Sequence, residues 1–152
     1  MNIIPSNDLA SSVTKEQIHF SLASLPEHAS VILAMLQSCA TYFHWSPGFS
    51  ERIFQAGTEG FINGMEHGNG YNPLKRVFFT LTHSENSVEI VIQDQGNGFN
   101  PDDLPNPLAP ENLLKASGRG LFLIRHWADE VHFEDNGKRM VLHFYPEKED
   151  LA

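Results

Sequence analysis

The stretch SVEIVIQDQGNGF, residues 87–99, decides the fold. Val88, Ile90 and Ile92 recur at every second position, the period of a strand with one face on a core. Asp94 keeps the same parity, so the strand carries a carboxylate toward the interior at its end. Gly96 and Gly98 then turn the chain. A carboxylate drawn out of water needs hydrogen-bond donors. They can come from the turn's own backbone, or from a ligand such as the exocyclic amine of adenine.

Upstream, RVFFTLT (76–82) is a second strand, joined to the first by the polar turn HSEN (83–86). Gln17 to Leu22 alternate as an earlier strand, with Ile18, Phe20 and Leu22 on one face. Pro26 and Glu27 open a helix that runs to about His44, with apolar positions at 29, 32, 33, 36, 40 and 43. The segment SPGF (46–49) breaks it, and Ser50 starts a second helix that ends near Gly68 or Gly70. Downstream, residues 99–117 contain Pro101, Pro105, Pro107 and Pro110, which deny the early part a helix or an interior strand. So long an irregular stretch is read as a lid or a linker. Gly118, Arg119 and Gly120 lead into a third helix, LFLIRHWAD (121–129). EVHFE (130–134), an Asn136-Gly137 turn and RMVLHFY (139–145) then make a closing hairpin. The expected class is α+β: a two-layer sandwich whose mixed, mostly antiparallel sheet is covered by helices on one face. One domain is expected over residues 16–146, after a loose lead-in (1–15) and before a short tail (147–152).

In the second helix, Phe54, Phe61 and Met65 form a core stripe, while Glu59 and Asn63, four residues apart, share a face pointing away from it. Such a pair is either a solvated helix face or a place to hold water, a hydroxyl nucleophile or magnesium. Gly57, Gly60 and Gly64 lie beside Ile53 along another stripe. Three interior glycines cost a helix roughly 2–3 kcal/mol relative to alanine. They imply close approach of a backbone or ligand, or tight helix packing. At the third helix, SGRGL (117–121) offers backbone N–H groups to an anion, with Lys115 and Arg119 nearby; an ordinary lid end is the alternative.

Composition narrows the classes. The chain has 152 residues, 41% hydrophobic and 19% charged, as in a globular protein. Acidic residues outnumber basic ones 19 to 10, a formal charge of -9. That balance, without a Lys/Arg-rich run, argues against direct nucleic-acid binding. Cys39, the single cysteine, falls in an apolar helical stretch and reads as a buried thiol. Neither a secretory leader nor a membrane-length apolar run is seen, so a cytoplasmic location is expected.

Taken in order, Glu-x-x-x-Asn on a helix, Asp-x-Gly-x-Gly-Phe after a strand and Gly-Arg-Gly-Leu-Phe-Leu-Ile before a helix resemble the Bergerat-fold ATPases. That superfamily includes histidine kinases and gyrase-type ATPases. EGFINGMEHGNG (59–70), GRGLFLI (118–124) with ADEV (128–131), and NGKRMVLHF (136–144) most resemble the anti-sigma-factor serine/threonine kinases. The resemblance spans about residues 26–145. It implies ATP and Mg2+ as cofactors, with Asn63 on the metal and Glu59 as general base for the acceptor hydroxyl. Asp94 would bind the adenine amine, and Gly96, Gly98 and Phe99 would shape its pocket. Lys115, Gly118, Arg119, Gly120 and Leu121 would meet the phosphates under a lid, with His67 in a structural or phosphate-proximal place. The partners it implies are an anti-anti-sigma protein as substrate, a sigma factor and a second copy of the chain. An ATP-binding regulator that only sequesters its partner, and a detached histidine-kinase catalytic domain, are the rival readings.

Overall fold

Among the described residues, alternating apolar side chains build five strands: β1 (Glu16–Ala23), β2 (Arg76–Ser84), β3 (Ser87–Gln93), β4 (Glu130–Glu134) and β5 (Arg139–Phe144). Helical periodicity builds α1 (His28–Tyr42), α2 (Pro47–Asn63) and α3 (Arg119–Trp127). The structure, a computed structural model, describes residues 15–100 and 119–147. The strands form one sheet in the order β1-β2-β3-β5-β4. Every pairing in it is antiparallel, which corrects the expectation of a mixed sheet. The connections explain this. Two successive helices link β1 to β2, and β5 separates β3 from β4, so no single-helix crossover joins neighbouring strands.

One face of the sheet carries the core. Val77, Phe79 and Leu81 of β2, Val88, Ile90 and Ile92 of β3, and Met140, Leu142 and Phe144 of β5 are buried against Ile32, Leu36, Ile53, Phe61 and Ile124 of the helices. Each such side chain contributes about 1.5–3 kcal/mol by leaving water. Cys39 is buried with them, as expected.

The glycine stripe of α2 faces this layer. A Cβ on Gly57 would stand 3.0 Å from Leu36 Cδ1, one on Gly60 2.6 Å from Ile92 Cδ1, and one on Gly64 3.2 Å from Val77 Cγ1. The glycines therefore let α2 lie close against the sheet, a contact that a methyl group would push apart. Of the readings the sequence allowed, tight packing holds: Gly57 packs on Leu36 of α1 as well as on Ile90, while Gly60 and Gly64 pack on side chains of the sheet.

Several boundaries differ from expectation. SPGF does not precede α2; it starts it. Ser46 is the N-cap, its Oγ accepting from the Phe49 N–H at 3.2 Å, and Pro47 fills the first turn, where no donor is missed. The β2–β3 turn is shorter than HSEN, because His83 and Ser84 still pair in the ladder. The β4–β5 connection is a short turn in which Asp135, Asn136 and Gly137 all take left-handed φ, +50°, +54° and +85°. The α-helical pattern of α2 stops at Asn63, and Gly64–Gly68 form a π-helical turn. No helix among the described residues is long and apolar enough to cross a membrane.

Candidate functional site

Three chain segments meet at one end of the sheet: the end of α2 with its π-helical turn, the loop after β3, and the β4–β5 turn. Asn63, His67, Asp94 and Phe99 line a single narrow cleft there, with Gly60, Gly64, Gly68, Ile92, Gly137, Lys138 and Met140.

Asp94 sits at the end of β3, half-buried, as the strand parity requires. Its Oδ1 accepts the Gly96 N–H at 2.8 Å, so the turn supplies one donor. Its backbone N–H donates to the Lys138 carbonyl at 3.0 Å, fixing the loop to the β4–β5 connection. Burial pushes the Asp94 carboxyl above its ordinary value, against the pull of the Gly96 bond, Lys138 and Lys75. A self-capped turn aspartate has no need of this environment. Gly68 lies so close that a Cβ there would run into the Asp94 carboxylate.

Around it, the loop is held by shape. Gly98, at φ +79°, presses on the Asn136 backbone, and the Phe99 N–H donates to the Asn136 carbonyl at 2.7 Å. The Phe99 ring meets Phe133 edge-on, with centroids 5.5 Å apart. Gly137 in turn has the Phe99 carbonyl where a Cβ would be.

Glu59 and Asn63 share a face of α2, as expected, and that face meets the start of α3. A Cβ on Gly120 would be 3.2 Å from Glu59 Oε2 and 3.9 Å from Asn63 Oδ1. The first turn of α3 thus closes over the carboxylate and amide with only a glycine between. Arg119 is exposed at the start of the helix, and Leu121 is buried in the core beneath it. His67 is exposed in the π-helical turn, its Nε2 3.9 Å from the Glu66 carboxylate. Lys115 and Gly118, and the stretch expected to form the lid, lie outside the described residues.

Sequence reasoning missed Gly68, Asn69, Gly137 and Lys138. Asn69 is 4% exposed and fully used: its Nδ2 donates to Ser24 Oγ and the Arg76 carbonyl, both at 2.9 Å, and its Oδ1 accepts the Gln95 N–H at 2.8 Å. It therefore ties the π-helical turn to β1, β2 and the loop carrying Asp94. The signal was present in HGNG (67–70), where an amide flanked by glycines can turn inward; the segment was read as a helix end and as part of the family resemblance, with no task for Asn69.

The arrangement supplies a half-buried acceptor, Asp94, in the cleft and the side-chain oxygens of Asn63 and Glu59 beside the first turn of α3. The model of the histidine kinase-like ATPase domain matches residues 22–144. A serine-protein kinase RsbW from Bacillus licheniformis is 28% identical over 130 residues, 80% of this chain and 81% of its own. One from Staphylococcus epidermidis is 26% identical over 146 residues, 91% and 92% of the two chains. An anti-sigma F factor from Bacillus cytotoxicus is 34% identical over a shorter span, 52% of this chain and 56% of its own. Among solved structures, a Mycobacterium tuberculosis chain containing RsbU and RsbW domains superposes with a TM-score of 0.60 at 14% identity. That match covers 85% of this chain and 31% of the other, so the protein spans about a third of that longer chain. With the matched region running from the end of β1 to the end of β5 and enclosing the whole cleft, the chain belongs to the histidine kinase-like ATPase domain family.

Proposed function

We propose that the protein is an anti-sigma factor that binds Mg-ATP and phosphorylates a serine or threonine of an antagonist protein in a cytoplasmic partner-switching pathway, with residues 16–146 as the catalytic domain. The observation that carries this reading is the meeting of Glu59 and Asn63 with Gly120 at the first turn of α3, in continuity with the cleft that holds Asp94. The names of the serine-protein kinase relatives support the same chemistry.

Each residue then has a task. Asp94 accepts the adenine amine, which recovers part of the cost of its burial. Gly68, Gly96 and Gly98 keep side chains out of the base pocket, and Phe99 forms one of its walls. The phosphates extend toward the first turn of α3, where the positive end of the helix dipole favours anionic oxygens. Asn63 Oδ1 is a hard oxygen donor that suits Mg2+, an ion that keeps waters and phosphate oxygens as its other ligands. Bound there, the ion would neutralise phosphate charge. Glu59 would orient the acceptor hydroxyl and take its proton as the oxygen attacks the γ-phosphorus, the bond from that phosphorus to the β–γ bridging oxygen breaks, and ADP leaves. Positioning and charge neutralisation are most of what such transfer requires. A sigma factor and a second copy of the chain are the further partners in this reading.

Incubation with labelled ATP and candidate antagonist proteins tests it. Wild type should label a serine or threonine; Asn63→Ala should lose metal-dependent binding; Glu59→Gln should bind nucleotide but lose transfer. Equal transfer by Glu59→Gln would remove Glu59 from the base role. Nucleotide binding without transfer to any antagonist would favour the sequestering regulator.

A further inference from the structure

The sheet has a second face, turned away from the helices, and at its β4 edge the alternation gathers a separate set of ligating groups. Val131 and Phe133 of β4 and Met140, Leu142 and Phe144 of β5 point to the core, so Glu130, His132 and His143 point the other way. Glu130 pairs directly with His143 across the β4–β5 ladder, and Glu89 of β3 pairs with His143 from the other side. We propose that Glu130, His132 and His143 form a binding site for a divalent transition-metal ion of the zinc type, distinct from the nucleotide cleft.

The donor atoms of these three residues all lie within 4.8 Å of one another. In a tetrahedral site with bonds near 2.1 Å, ligand atoms stand about 3.4 Å apart, so the side-chain ends need to close by up to about 1.4 Å. The Tyr145 hydroxyl donates to Glu130 Oε2 at 3.3 Å, orienting that carboxylate from outside the cluster. The Glu89 carboxylate, 3.7 Å from His143 Nε2, is placed to orient the imidazole or to fill a fourth position. The neighbouring guanidinium groups are engaged elsewhere: Arg139 with Glu134 at 2.8 Å, and Arg52 with Asp129 at 3.2 Å and the Tyr145 carbonyl at 2.7 Å.

Simple pairing of protonated histidines with carboxylates explains the geometry less well. The separations of 3.5 Å for His132–Glu130 and 3.7 Å for His143–Glu89 exceed the usual 2.7–2.9 Å of a charge-assisted bond. Two imidazoles and one carboxylate are instead a donor set seen on zinc, and one that discriminates against magnesium and calcium, which prefer all-oxygen sites. Binding would clamp the edge strand β4 to β5.

Nucleotide-free full-length protein without an affinity tag should be titrated with Co2+ by visible absorption and with Zn2+ by calorimetry, in the presence of excess Mg2+. One equivalent is expected to bind, with His132→Asn and His143→Asn each weakening it by at least about ten-fold. ATP affinity should stay unchanged in both variants. Unchanged metal affinity in the variants, or a Zn2+ signal abolished by Mg2+, would overturn the site. Should a variant misfold, the histidine ring signals of wild type decide by NMR. Zn2+ should shift His132 and His143 before the other six of the eight histidines; an indiscriminate shift sinks the proposal.

Discussion

The carbonyl oxygen of Gly68 stands where a Cβ on Gly96 would begin. Two backbones, one from the π-helical turn and one from the loop after β3, are thus in contact with no side chain between them. Gly68→Ala or Gly96→Ala must separate them, at about 1–3 kcal/mol of stability and with loss of ATP binding. Gly48→Ala is the control, because nothing lies within 4 Å of its Cβ position in the first turn of α2. That change should be neutral or stabilising by about 0.4–1 kcal/mol. Denaturant unfolding and calorimetric titration of the three variants check both effects.

Asp94→Asn should weaken ATP binding by roughly ten- to a hundred-fold, the loss expected for a hydrogen bond to a buried carboxylate. The same change should make the nucleotide-free protein more stable at neutral pH. Burial raises the folded-state pKa of Asp94, so the folded chain holds this proton more tightly than the unfolded chain does. The stability linked to this group is complete below the unfolded value of about 4 and is lost as pH rises through the raised folded value. Asparagine stays neutral and escapes that loss. Melting curves between pH 4 and 8 should show the variant's advantage growing with pH; an advantage that shrinks with pH would contradict the assignment.

Gly120→Ala places a methyl group 3.2 Å from Glu59 Oε2. It should lower the rate of phosphoryl transfer at least about ten-fold while changing ATP affinity little, since a small displacement of a base affects chemistry more than binding. Single-turnover transfer alongside equilibrium nucleotide binding separates the two. Equal losses in both would mean that the glycine serves the phosphates and not the base.

Most of the sheet and the three helices were legible, because residues such as Ile90, Ile92, Ile32 and Leu36 declare their faces by spacing alone. Asp94 was placed by parity, which a strand obeys strictly. Less legible was whatever depends on contact between distant segments. The stripe of Gly57, Gly60 and Gly64 could be seen, but its neighbours come from elsewhere in the chain, Leu36 from α1 and Ile90, Ile92 and Val77 from the sheet. Asn69 is a polar residue between two glycines, and no local pattern says that it turns inward to Ser24, Arg76 and Gln95. The antiparallel direction of every strand follows from how many helices join them, which the order of elements contained and the expectation of a mixed sheet overlooked.

Asn69→Ala should be among the most destabilising single changes at this end of the sheet. It leaves the Gln95 N–H, the Arg76 carbonyl and the Ser24 hydroxyl each short of a partner. A loss on the order of 3 kcal/mol is expected, with faster hydrogen exchange at Gln95 and Gly96 even where the rest of the sheet stays protected. Unchanged exchange at those two amides would show that the loop does not depend on Asn69.

The π-helical turn at Gly64–Gly68 has a consequence for descent. Such a turn arises when a helix accommodates one extra residue without resetting its start, and everything after it is rotated by about 100° relative to an uninterrupted helix. Removing one residue from the turn would restore regular hydrogen bonding and swing Gly68 away from Asp94 and Asn69 away from Gln95. The shortened protein would have the better helix and no nucleotide pocket. Alignments that place a gap here for the sake of helical regularity would pair the wrong residues across the site, and a lineage that lost this one codon would lose the cleft while keeping the fold.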